Sequence, residues 1–341
     1  MSARESLTGR VLDRLLTPDL REVEPEVRGF EPWVGGPSIV ADVGTAFLTG
    51  YSAAMRIPDI PEAVASIQSL PAQSRGFAME GLGMGVAVRS AVTPGRRDGF
   101  ARLLALSGER HSYMLYVGLG WAFPRLPRLV WPSLDGLDPM LLGLVLDGLG
   151  FHETFFRTRE VLDRGVAACD LSMWTGGRAE GENHVAQGIG RALWFVCGGD
   201  PERVRDVIDS MPEQHRSSAW AGTGLAAAYA GGRDEAGLRQ LVDASGTYRL
   251  WLGQGASFGV EARRRAGNPV PHTFVAADVL CGLDLPGVAR LTAESRPPAE
   301  EVDCGDTSTM ERWRENIATR LAQAHSPTAQ HTGDQPADAP T

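Results

Sequence analysis

A pair of glycines separated by one residue recurs five times, with a sixth degenerate copy, inside apolar segments of this 341-residue chain. It stands at Gly81-Leu-Gly83, Gly118-Leu-Gly120, Gly148-Leu-Gly150, Gly188-Ile-Gly190 and Gly222-Thr-Gly224, and degenerates to Gly255-Ala-Ser257-Phe-Gly259. The first glycines lie 37, 30, 40, 34 and 33 residues apart, a period that helix–turn–helix repeats show. Glycine inside a helix costs roughly 1 kcal/mol relative to alanine. Two per helix must therefore be offset, either by close approach of stacked backbones or by room for a ligand against the backbone. A Rossmann reading fails, because no β-branched run precedes Gly118 or Gly188 and no acidic residue stands in a βαβ context.

The clearest pair of units is offset by 34: Gly188 matches Gly222, Phe195 matches Tyr229 and Asp200 matches Asp234. Val204, Val207, Ile208 and Met211 form an amphipathic stripe. Asp200-Pro201 supplies an N-cap and a proline at the first helical position. Gly198-Gly199 and Gly231-Gly232 end the preceding helices. Each unit then reads as an apolar helix A carrying Gly-x-Gly, a glycine turn and an amphipathic helix B. The expected fold is all-α, a TPR-like solenoid of about six helical hairpins over residues 46–325. An irregular, proline-broken arm over 1–45 covers one end, with a short helix at Val11 to Leu16. A C-terminal helix from Ser308 to Gln323 caps the other end, and residues 326–341 are read as a disordered tail.

Composition removes several functions. The net charge is -9 and every one of the 33 basic residues is Arg. Nucleic acid is not an expected partner, and Schiff-base, P-loop-lysine and PLP chemistry lack their lysine. The four cysteines form no CxxC, and no HExxH occurs, so no metal site is expected. Neither a signal peptide nor an 18-residue apolar run is present. The expected setting is a bacterial cytoplasm, and no cofactor is legible.

The residues beside the glycines are unusually polar: Glu80, Asp147, Gln187 and Gln254, with Glu261 shortly after Gly259. If the A helices line a shared interior, these side chains converge there, and a buried carboxyl among Glu80, Asp147 and Glu261 can serve as a general acid. Otherwise they bond neighbouring backbone. His152 and His184 flank the third and fourth motifs, and Trp121 and Trp194 sit in the apolar helices. With Gln187 and Gln254 they are candidate substrate-binding groups, since aromatic walls suit a flat unsaturated ligand. Core packing is the alternative. No G-x-S-x-G elbow is present.

The runs Tyr113-Met-Leu-Tyr-Val-Gly-Leu-Gly-Trp121-Ala-Phe-Pro, Gln187-Gly-Ile-Gly-Arg-Ala-Leu-Trp-Phe195 and Gly255-Ala-Ser-Phe-Gly259-Val-Glu-Ala-Arg-Arg resemble the UnbL-type enediyne biosynthesis proteins. Arg28-Gly-Phe30 and Phe47-Leu-Thr-Gly-Tyr51 share the likeness, which spans about residues 25–325. That bacterial family has no activity or catalytic residues to carry over. The resemblance implies an accessory role in enediyne or related polyketide biosynthesis, with a conjugated polyene intermediate as ligand and other biosynthetic enzymes as partners. Two rival readings accompany it. One is a non-catalytic helical-repeat adaptor; the other is a metal-independent polyene or terpene cyclase, which the absence of D-D-x-x-D and D-x-D-D motifs disfavours.

Overall fold

The computed structural model describes residues 6–93, 98–298 and 308–324. Among these residues there is helix and no strand. The helices are α1 (Leu7–Leu16), α2 (Pro25–Arg28), α3 (Val40–Arg56), α4 (Ile60–Gln68), α5 (Ala72–Val92), α6 (Gly99–Ser107), α7 (Ser112–Ala122), α8 (Gly143–Phe156), α9 (Thr158–Arg164), α10 (Arg178–Val196), α11 (Pro201–Ser210), α12 (Glu213–Ala230), α13 (Glu235–Ser245), α14 (Arg249–Arg265), α15 (Pro271–Cys281), α16 (Leu285–Glu294) and α17 (Thr309–Ala324). The tail read over 326–341 lies outside the described residues, as does Cys304. No helix among the described residues is long and apolar enough to cross a membrane.

Helices α3, α5, α7, α8, α10, α12 and α14 pack side by side in chain order and run parallel. The glycine pairs are the joints. A Cβ built on the first glycine of each motif would come closer than 3.0 Å to one carbonyl oxygen of the preceding helix. For Gly118 that oxygen belongs to Glu80, for Gly148 to Val117, for Gly188 to Asp147, for Gly222 to Gln187 and for Gly255 to Ala221. Each of these is the residue just before the preceding motif's first glycine. The second glycine meets the following helix by the same rule: Gly120 meets Val145, Gly150 meets Val185, Gly190 meets Ala219 and Gly224 meets Leu252. Helix backbones thus touch directly, in the geometry of Cα–H···O contacts. The glycines serve packing.

The register extends to a helix that carries no Gly-x-Gly. Gly81 packs on the Phe47 carbonyl and Gly50 on that of Ala78, so α3 belongs to the row. As its first member α3 has no predecessor, and Leu48 stands where a first glycine would. At the other end α14 needs no second glycine toward a long parallel neighbour. Ser257 takes that place and donates to the Gly253 carbonyl at 2.8 Å.

Shorter helices return the chain between the long ones. Asp200 accepts from the Glu202 amide and Asp234 from the Gly237 amide, capping α11 and α13. Gly198, Gly199, Gly231 and Gly232 all have positive φ, at 63°, 66°, 77° and 91°. One expected hairpin differs: α7 and α8 are joined by residues 123–142, which hold 3-10 turns and no amphipathic helix. Pro124, Pro127 and Pro132 remove amide donors there.

The row curls. Arg263 near the end of α14 donates to the Tyr229 carbonyl at 2.8 Å and reaches the Gln73 carbonyl, at the start of α5, at 3.3 Å. Tyr229 meets Phe77 edge to face, with ring centroids 5.2 Å apart. Tyr229 lies seven residues after its first glycine and Phe77 four before its own, so the ends meet about 16 Å out of register along the helices. Residues 29–34 cross the C-terminal ends of α10 and α12. The Glu31 amide donates to Val196 O at 2.9 Å, the Val34 amide to Gly198 O at 2.9 Å and the Trp33 indole to Gly232 O at 2.9 Å. In α17, Trp313 and Met310 are buried against the opposite end of the interior.

Candidate functional site

The curl surrounds a narrow apolar cavity in which the centres of water-sized spheres have about 80 Å³, the whole space between its walls and out into its open mouth being about 1140 Å³. Its lining follows the glycine register. The residue three after each first glycine faces it: Met84, Trp121, Phe151, Arg191, Leu225 and Phe258. One turn on, Arg125, Phe155, Phe195, Tyr229 and Ala262 also line it. These positions share one face of a helix, and the glycine contacts fix that face inward. Trp121 packs between Phe47 and Phe151, at centroid distances of 4.4 and 5.1 Å. Pro18 and Val23 of the arm border the cavity at one end, and Met310 and Trp313 at the other.

The charged side chains lining it are Glu80, Arg125 and Arg191. Glu80 and Arg191 are buried, with 4% and 6% exposure. Arg191 Nε lies 2.9 Å from Asp147 Oδ1 and Nη2 lies 3.7 Å from Glu80 Oε1. Gln187 donates to Asp147 Oδ2 at 2.8 Å. The Arg191 guanidinium also lies 4.6 Å from the centroid of Phe151, a favourable cation–π placement. Burial pushes the Glu80 carboxyl up to about 7; Arg191 opposes the shift and Asp147 adds to it. Asp147 is held by Arg191 and Gln187, whereas Glu80 faces the open space.

The other sequence candidates sit elsewhere. His152 lies behind Trp121 and takes a hydrogen bond from Arg125 Nε at 3.0 Å. Burial pushes its pKa down, so the neutral ring accepts that bond. His184 is buried under the start of α8, against Gly143 and Trp174. Trp194 gives its indole N–H to Gly231 O at 3.0 Å and meets Trp33 edge-on. Gln254 faces Arg314 of α17 at 3.4 Å, and Glu261 is paired to Arg264 at 2.6 and 2.8 Å. The structure thus brings Glu80, Trp121, Asp147 and Gln187 together, with His152 one layer behind. It separates His184, Trp194, Gln254 and Glu261 from them.

Arg191 and Tyr229 are missing from the candidates read in sequence. Arg191 had a signal: it is the charged member of a register position otherwise filled by Met, Trp, Phe, Leu and Phe. Among the described residues, no group of three or more His, Cys, Asp and Glu side chains could hold a metal ion.

A family model described as a protein of unknown function, DUF1702, matches residues 7–321. The chain belongs to the DUF1702 family. No curated protein and no solved structure matches it. The match covers every one of the long parallel helices and both ends of the cavity, so the enclosed interior lies wholly within the family's extent.

Proposed function

We propose that this DUF1702 chain encloses a linear, conjugated, largely apolar molecule inside the curl and assists its conversion. The ligand chemistry is that of the polyene intermediate in enediyne or related polyketide biosynthesis. The pathway comes from the UnbL-type resemblance, and the ligand class is supported by the cavity. One observation carries the reading: an aromatic-lined apolar interior onto which a buried carboxyl–guanidinium pair, Glu80 and Arg191, faces. Ligand pockets are apolar cavities with a few placed polar groups. In this reading the row is a TPR-like repeat array working in the bacterial cytoplasm beside the enzymes that make and consume the polyene.

The adaptor reading needs an open concave groove. Here aromatic side chains fill the concave side and residues 29–34 cross one end. The cyclase reading keeps one specific support, since Glu80 faces the cavity and its carboxyl holds a proton up to about pH 7, as a general acid must.

Titration of the purified chain with a linear conjugated polyene tests the reading by quenching of tryptophan fluorescence. Saturable quenching that weakens at least tenfold in Trp121→Ala is expected. Absence of saturable binding overturns the proposal. In a producing strain, deletion of the gene is expected to accumulate the polyene. Glu80→Ala, folded but unable to restore product, would place the conversion step in this cavity.

A further inference from the structure

The hydroxyl of Tyr229 occupies the place that a Cβ on Gly76 would take. Residues four apart on a helix stand with their Cβ atoms about 5–6 Å apart, and helical side chains lean toward the N-terminus. Glu80, four residues after Gly76, therefore leans toward the Tyr229 hydroxyl. Tyr229 is 3% exposed and lines the cavity, yet its hydroxyl has no hydrogen-bond partner among the described residues. The Nη2 of Arg191, beside Glu80, has none either. Buried polar groups are nearly always satisfied, and one left open in an apolar cavity calls for a ligand atom or water. Burial pushes the Tyr229 phenol up to about 12, so it stands as a donor.

We propose that Tyr229, Arg191 and Glu80 recognise one carbonyl oxygen in the middle of the enclosed chain, so that the ligand is a conjugated ketone, a polyenone, rather than a hydrocarbon. The oxygen takes one hydrogen bond from the Tyr229 hydroxyl and one from Arg191, and Glu80 fixes Arg191 from the other side. Gly76 is the enabling residue, because any side chain there evicts the hydroxyl. This inference rests on the enclosed-ligand reading and sharpens it.

Two probes separate the possibilities: a linear all-trans tetraene and a chain of the same length with a ketone at its centre. Full-length protein is titrated with each, following tryptophan quenching and the absorption maximum of the ketone. The ketone is expected to bind at least tenfold more tightly, with a red-shifted maximum. Tyr229→Phe is expected to remove about tenfold of ketone affinity and to leave tetraene affinity unchanged. Gly76→Ala provides a second disruption of the same hydroxyl and should reproduce that loss. Equal affinities for the two probes, or equal weakening of both by Tyr229→Phe in a folded variant, overturn the oxygen site and leave the enclosed-polyene reading standing. If neither probe binds, both readings fall.

Discussion

At the scale of the residue, the glycine pair is a contact surface made of backbone. Gly188→Ala places a methyl group against the Asp147 carbonyl and is expected to lower stability by about 1–3 kcal/mol, measured by denaturant unfolding. Gly177→Ala is the control. A Cβ there meets nothing closer than 3.7 Å, so the change should cost no more than the weakening of the α10 N-cap it forms, about 0.5–1 kcal/mol. Glu80 gives a second prediction at this scale. Its folded pKa, about 7, is above the ordinary value of 4.5, so the folded state binds more protons than the unfolded state between those values. Stability from this group is complete below about pH 4.5 and is lost as pH rises through 7. The melting temperature of wild type relative to Glu80→Gln should therefore fall between pH 5 and 8. A flat difference would mean that Glu80 is ionised throughout. Buried His111, pushed down to about 4, destabilises the fold in acid with the opposite sign, which is why the comparison with Glu80→Gln is needed. These residues differed in legibility. Glu80 and Trp121 were readable because they flank a visible motif. Tyr229 was not, because its partner is the empty face of Gly76 on a helix more than 150 positions away in sequence.

At the scale of the element, the B helices α11 and α13 and their caps followed from local chemistry, because aspartate and proline act within a single turn. The inward face of each A helix did not follow from hydrophobicity. Helices such as α8, α10 and α12 are buried nearly all round, and a helix apolar on every side has no preferred stripe. The glycines resolve this. Once the two of each motif are assigned to opposite neighbours, the third and seventh residues after the first glycine must point inward. The missing return helix between α7 and α8 was hidden for a different reason, since the four prolines of residues 123–142 mark a break without saying what lies across it. The arm is held at the scale of elements too. Trp33 bonds Gly232 O, packs on Trp194 and stands near the ion pair of Glu31 with Arg203. Trp33→Ala is expected to cost about 1–3 kcal/mol and to expose residues 18–38 to limited proteolysis while the helical circular dichroism holds. Unchanged cleavage would show that the backbone bonds of Glu31 and Val34 suffice.

At the scale of the whole molecule, the curl is closed where α12 and α14 meet α5 and α7, through Tyr229 on Phe77, Arg265 with Tyr113 and Glu109, and the buried Arg263. Arg263 is fully buried, with no carboxylate among its bonds, and it spends its guanidinium on the Tyr229, Gln73 and Ala72 carbonyls. Arg263→Ala is expected to cost about 3 kcal/mol, because it leaves buried acceptors unpaired. It should also split unfolding into two phases, with amide hydrogens of α3 and α5 and those of α12 and α14 exchanging at different rates, since the two ends of the row then open separately. A single cooperative transition in the variant would show that the seam holds without Arg263, through its aromatic packing and the contacts of Arg265 with Tyr113 and Glu109. The seam also bears on how such a chain can change over evolutionary time. Open arrays lengthen by duplicating a unit, since each copy answers only to its neighbours. Here an inserted helix would carry Arg263 past Gln73 and tear the join, so the number of helices in the row is constrained by the geometry of its closure.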